Sequence, residues 1–211
     1  DYYEDSPAKP HADIHVQEST LDESAVLEVA RREKATIILC LCIDQPLLTM
    51  ASVSEQLGLP CYLSHAQAQR CTNKIEMKRL MREQNIRTSA HVVIQGSGGL
   101  GAQTELLTYP VVVKPANANS SKGVQKVMIP ENLPEAVDHA REHTRTGEIV
   151  VEEFVDGDEY SCEFFVLDGV PNLIIATKLQ KSRLHSDKFV ISRCSTPVQI
   201  DSKASAQLAN A

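Results

Sequence analysis

The sequence predicts an α/β chain with an α+β section in its second half, and three stretches predict it. Residues 20–58 pass from an amphipathic pattern to a continuous apolar run, TIILCLC at 36–42, and back to a helical pattern. Such β-α alternation predicts parallel strands joined by crossover helices. Residues 110–123, PVVVKPANANSSKG, place a β-branched run ahead of a polar loop of small side chains. Three consecutive valines suit a buried strand, and the loop behind them is too polar for a core. Residues 160–177 are two apolar runs around Asp168-Gly169, a strong hairpin signal.

Composition narrows the function classes. With 211 residues, 42% of them hydrophobic and 23% charged, the chain can bury a substantial core in one or two domains. A formal net charge of −7 with interspersed lysines argues against nucleic-acid and anionic-membrane partners, which are bound through basic stripes. No apolar run approaches the roughly 20 residues that span a bilayer, and the N-terminal residues are acidic and polar, so a cytoplasmic location is expected. The six cysteines, Cys40, Cys42, Cys61, Cys71, Cys162 and Cys194, include no C-x-x-C pair. They read as reduced, mostly buried thiols, with no zinc-ligand spacing.

In chain order, residues 1–19 read as a loop with one short strand at 13–16. Thr20-x-x-Glu23 forms a capping box ahead of Ala25, Val26, Val29 and Ala30. After the apolar run, Pro46 opens a helix that stops at Gly58, and Leu57-Gly58-Leu59-Pro60 leads into a short strand. Asn73-x-x-Glu76 repeats the capping box and starts a helix through Gln84. Lys74 lies in its first turn, where a cation opposes the helix dipole at a cost of a few tenths of a kcal/mol unless an anion sits nearby. Beyond Thr88 come a strand at 91–94, a glycine-rich loop, a helical stretch near 105–107 and the valine strand. Asn132-x-x-Glu135 with Pro134 caps a helix to about Arg145. Strands follow at 148–155, 160–167 and 170–177, and residues 202–211 begin a last helix.

Lys114 at the end of the valine strand, beside a loop rich in backbone N–H groups and hydroxyls, makes a phosphate receptor. Other candidates are weaker. Gly96-Ser97-Gly98-Gly99-Leu100-Gly101 fits G-x-G-x-x-G, but no acidic residue ends a strand roughly 20 residues later, as a dinucleotide site requires. The later V-V-V-K has no H-R-D or D-F-G to complete a protein kinase, so the glycine loop reads as a surface connection. His139 and His143 stand four apart on a helix, yet Glu142 is not where the zincin pattern requires it, and they read as solvated histidines. No metal site and no catalytic residue is assigned.

Three stretches taken together carry a resemblance: P-V-V-V-K-P, the loop ending S-S-K-G-V at 120–124, and V-E-E-F-V-D-G-D-E-Y at 151–160. In that order they resemble the ATP-grasp superfamily of carboxylate-activating ligases. L-G-L-P at 57–60 and C-T-N-K-I-E-M-K at 71–78 resemble the family's preceding α/β domain and its junction, so the similarity runs from about residue 12 onward. The resemblance implies a partial Rossmann-like pre-ATP-grasp domain with its connecting helix at 1–87, an ATP-grasp lid at 88–151 and an incomplete core subdomain at 152–211. It implies a member incomplete at both ends, lacking the first glycine-rich β-α-β element and the metal-binding strands. Beyond Lys178 only Asp187 and Asp201 carry carboxylate side chains.

By the same resemblance, Lys74 and Lys114 hold ATP phosphates, which supplies Lys74 with the anion its helix position lacks. The loop with Ser120, Ser121, Gly123 and Val124 covers the phosphates. Glu152, Glu153, Phe154 and Val155 form the adenine hinge, Phe154 packing beside the base. Glu159 accepts from ribose hydroxyls, and Lys178 faces phosphate or substrate. The implied activity is ADP-forming: ATP and Mg2+ turn a carboxylate into an acylphosphate that an amine attacks, with an amino-acid or peptide-type ligase ahead of a carbamoyl-phosphate-synthase or biotin-carboxylase type. A non-catalytic nucleotide-binding module is the alternative of a different class. Partners are expected to be small carboxylates and amines, with no nucleic acid or membrane; a homo-oligomer is compatible.

Overall fold

The computed structural model describes the chain except residues 42, 97–99, 119–120, 145, 183–188, 201–203, 205–207 and 209–211. It divides into two compact units, Asp1–Leu80 and Met81–Ala211.

The first unit is helical. It contains α1 (Glu23–Arg32), α2 (Leu47–Leu57), α3 (His65–Thr72) and the first part of α4 (Lys74–Glu83). Asp22 caps α1 in place of Thr20, accepting the Ala25 N–H at 3.0 Å. The Glu23 carboxylate is turned away from the expected capping box because it accepts Ser52 Oγ at 2.7 Å and Gln56 Nε2 at 2.6 Å across to α2. Pro46 opens α2, and Gly58 closes it in the left-handed region at φ +64°. A Ser64–Gln67 capping box starts α3 where a strand was expected. Asn73 caps α4 as expected, its side-chain oxygen accepting Ile75 N–H at 2.8 Å. Met50, Ala51, Val53 and Ala68 are buried between these helices.

The apolar run at 36–42 is the main departure in this unit. Its described residues have no regular secondary structure and join no sheet, and Ile37, Leu39, Leu41 and Ile43 are all exposed. A strand requires a neighbour to satisfy its N–H and C=O groups, and among the described residues this unit has no strand. Residues 13–16 form no strand either. Among the described residues no helix is long and apolar enough to cross a membrane.

The second unit holds two antiparallel sheets. Strands β1 (His91–Ile94), β2 (Val111–Pro115), β3 (Gln125–Val127) and β4 (Ile149–Glu153) form the first, in the order β1-β4-β2-β3. Helix α5 (Leu133–Arg141) packs on it. Register fixes the two faces: Val111 lies opposite Val127 and Glu153, and Val113 opposite Gln125 and Val151. Val111, Val113, Ile149 and Val151 therefore project together into a core shared with Leu133, Ala136, Val137 and Ala140 of α5. That helix ends at Arg141, four residues earlier than expected, and Asn132 makes no side-chain cap. Strands β5 (Glu159–Leu167), β6 (Val170–Lys181) and β7 (Ile191–Ser195) form the second sheet, in the order β5-β6-β7. Its hairpin turns at Asp168 (φ +50°) and Gly169 (φ +79°), the two consecutive left-handed residues of a type I′ turn. Strands β3 and β7 were not expected from the sequence. The strands are antiparallel throughout and no parallel pair occurs among the described residues, so the parallel strands expected from the β-α alternation are not found there.

Candidate functional site

Alternation along the first sheet places Val112, Lys114, Val150 and Glu152 on the face opposite the α5 core. Val112 pairs with Glu152 and Lys114 with Val150, so Lys114 and Glu152 are diagonal neighbours. The Lys114 ammonium donates to the Glu152 carboxylate in a mostly buried ion pair. Ser89 Oγ also donates to Glu152 at 3.0 Å. Lys126 of β3 lies opposite Val112 and so shares this face. Its Nζ stands 3.4 Å from the centroid of the Phe154 ring, a cation–π contact. Lys126 was not among the sequence-derived candidates. Its signal was the outward phase of the short Q-K-V run, legible only once β3 is paired.

The loop after β2 is tied down at both described ends. Ala116 N–H donates to Glu148 O at 3.0 Å, and the Asn117 amide accepts from Thr144 Oγ1 at 3.1 Å. Ser121, at φ +56°, donates its hydroxyl to Phe189 O at 3.4 Å. Gly123, at φ +67°, is required sterically: a Cβ there would lie 2.9 Å from His143 Cβ and Cδ2 and 3.0 Å from Pro115 Cγ. Ser120 lies outside the described residues, as do Ser97, Gly98, Gly99, Asp187 and Asp201.

A cavity of about 850 Å³ opens between the segment after β4 and the β5–β6 ladder. It brings together Phe154, Val155, Glu159 and Lys178 from the sequence-derived set, with Lys126, Lys181 and Phe189 added. Phe154 N–H is held by Pro110 O at 2.9 Å, while Val155 is 73% exposed. Glu159 accepts from Lys181 at 3.0 Å, and Asp158 accepts from Lys178 at 2.5 Å. The hydrogen bond to Asp158 raises the Lys178 pKa above its ordinary value, outweighing the opposing effect of burial. Ser121, Gly123 and Val124 instead line a second cavity of about 440 Å³, which Lys126 shares. Lys114, Glu152 and Glu153 line neither of these cavities; Glu153 accepts from Thr108 N–H at 2.8 Å. Lys74, half-buried at the start of α4, belongs to the first unit. Lys78, one turn later, is buried.

A cavity with an aromatic wall and half-buried lysines, next to a hydroxyl-bearing loop, can accept a flat ring at one end and an anion at the other. The family model D-ala D-ala ligase C-terminus matches residues 73–202, well over half the chain. The chain belongs to this family, and so to the ATP-grasp superfamily. A D-alanine–D-alanine ligase of Hydrogenovibrio crunogenus is 38% identical over 97 residues, covering 46% of this chain and 30% of the relative. A formate-dependent phosphoribosylglycinamide formyltransferase of Synechococcus is 30% identical over 161 residues, 75% of this chain and 41% of the relative. Among solved structures, an L-amino acid ligase from Bacillus licheniformis superposes over 90% of this chain and 45% of its own, with a TM-score of 0.69 at 22% identity. The chain thus spans less than half the length of these relatives.

The five described cysteines are free and none is buried, contrary to the expected mostly buried thiols. Cys42 is outside the described residues. Residues 37–41, which carry Cys40, are exposed or half-buried throughout.

Proposed function

We propose that this chain is the ATP-binding part of an ADP-forming carboxylate–amine ligase, with an amino acid or a similar small carboxylate as the acceptor of phosphate. The observation that carries the reading is the larger cavity, where Phe154, Val155, Glu159 and Lys178 converge with Lys126 and Lys181. In this reading residues 88–151 are the lid and 152–211 part of the core. Backbone groups of Glu153 and Val155 meet the adenine edge, Phe154 flanks the base, and Glu159 exchanges its Lys181 contact for the ribose hydroxyls. Lys114, Lys178 and the loop with Ser120, Ser121, Gly123 and Val124 hold the phosphates. Lys126 joins them as an added cation.

The carboxylate oxygen attacks the γ-phosphorus, the bond to the β-phosphate oxygen breaks, and ADP leaves with the electron pair. The amine then attacks the acyl carbon and phosphate departs. The lysines neutralise charge at the transferring group, so positioning and electrostatics supply the rate. Mg2+ accompanies ATP in this reading, but the described carboxylates lining the cavity do not fit a magnesium site. Asp158 holds Lys178 and Glu159 holds Lys181, while Asp156 is exposed and accepts the Gly157 N–H at 3.1 Å.

The family model and several relatives in sequence favour an amino-acid ligase, being D-alanine–D-alanine ligases. Thermal melting with and without MgATP tests nucleotide binding. ATP is expected to raise the midpoint, and Lys114→Ala to weaken the apparent affinity by about tenfold, the loss of one charge-assisted hydrogen bond. No stabilisation by any adenine nucleotide would overturn the reading.

A further inference from the structure

We propose that His139, Glu142 and His143 form a binding site for a divalent ion of the Zn2+, Co2+ or Cu2+ class. The helical backbone of α5 continues through Glu142 (φ −63°, ψ −19°), and His143 N–H donates to Ala140 O at 3.1 Å. The three side chains therefore stand on one face at spacings of three and four. Each offers one ligand atom, and these atoms all lie within 4.8 Å of one another. His139 Nδ1 is 3.8 Å from Glu142 Oε2, and the two imidazole rings meet edge to face with centroids 5.0 Å apart. Donors bound to one ion at about 2.1 Å sit roughly 3–4 Å from each other, so small side-chain rotations complete the site.

Two further features favour a cation at this place. The site caps the C-terminal end of α5, where the helix dipole is negative and unpaired carbonyls gather. The His143 ring is also backed by Gly123, whose missing Cβ provides the room the ring occupies. That contact reduces the freedom lost on coordination. Two imidazoles and one carboxylate select a borderline transition metal over Mg2+ or Ca2+, which prefer all-oxygen shells. The site is separate from the nucleotide cavity of about 850 Å³ and does not depend on the ligase reading. His139, however, also lines the smaller cavity beside Ser121 and Gly123.

Cobalt titration of the full chain tests this. Co2+ is expected to give visible d–d absorption without a thiolate charge-transfer band, and Zn2+ to abolish it by competition. His139→Ala and His143→Ala should each weaken Co2+ binding by about tenfold or more, Glu142→Gln by less, and His65→Ala not at all. Should His143→Ala unfold through its Gly123 contact, as circular dichroism would reveal, His139→Gln and Glu142→Gln still decide. A thiolate band, unchanged affinity in the His139 variants, or no binding at millimolar Co2+ overturns the proposal.

Discussion

The two sheets of the second unit are built from similar apolar residues, yet only one is closed over. In β2 and β4 the residues Val111, Val113, Ile149 and Val151 are fully buried beneath α5. In the β5–β6 hairpin, Phe164, Phe165, Val166 and Leu167 are all exposed, and so are Val170 and Ile174. Successive residues of a strand face opposite sides, so four exposed in a row leave both faces of that end open. Apolar β-branched and aromatic content is enough to form a strand. Burial is decided separately, by the layer the chain places against it.

The contrast is broken most severely by a charge on each sheet. Val113→Asp is expected to cost about 4 kcal/mol or more, because an unpaired carboxylate would enter the α5 core. Phe165→Asp should change stability by no more than about 0.5 kcal/mol. Denaturant unfolding of both variants checks the pair, and equal losses would refute the difference between the sheets. A smaller effect is expected at the loop joining β2 to β3. Gly123→Ala forces a side chain into the left-handed region and against His143, costing about 2–4 kcal/mol by the same measurement. The smallest effect lies on the open sheet. The Lys178 pKa is raised in the folded state, so its stabilising contribution is complete below the ordinary lysine value and is lost as pH rises through the folded value. Lys178→Met should flatten that alkaline decline in melting temperature; an unchanged profile would remove Asp158 as its cause.

Much of the second unit was legible because its signals are local. The valines of β2 and the Asp168-Gly169 turn, like the Asn73 cap in the first unit, each rest on a few adjacent residues with one dominant preference. The misses share another origin. At 36–42 the apolar run was read as a buried strand, but a strand also depends on a neighbour that no local signal specifies. Thr20 lost the α1 cap because Glu23 bonds to Ser52 and Gln56, some 30 residues away. Of the residues singled out in the sequence, Phe154, Val155, Glu159 and Lys178 line one cavity, whereas Lys114, Glu152 and Glu153 do not line it. Lys126 and Lys181 were missed because their relevance lies in cross-strand register, with Lys126 opposite Val112 and Lys181 beyond the expected end of β6.

The ion pair between Lys114 and Glu152 has one more consequence. A lysine already neutralised by its own carboxylate gives little reward to a singly charged anion, which would only replace one counter-ion with another. A polyphosphate brings several charges and can draw the ammonium while Ser89 continues to hold Glu152. Under the proposed function, the pair acts as a threshold on ligand charge: stray carboxylates and other singly charged anions are turned away, and the lysine is released only to a multiply charged guest.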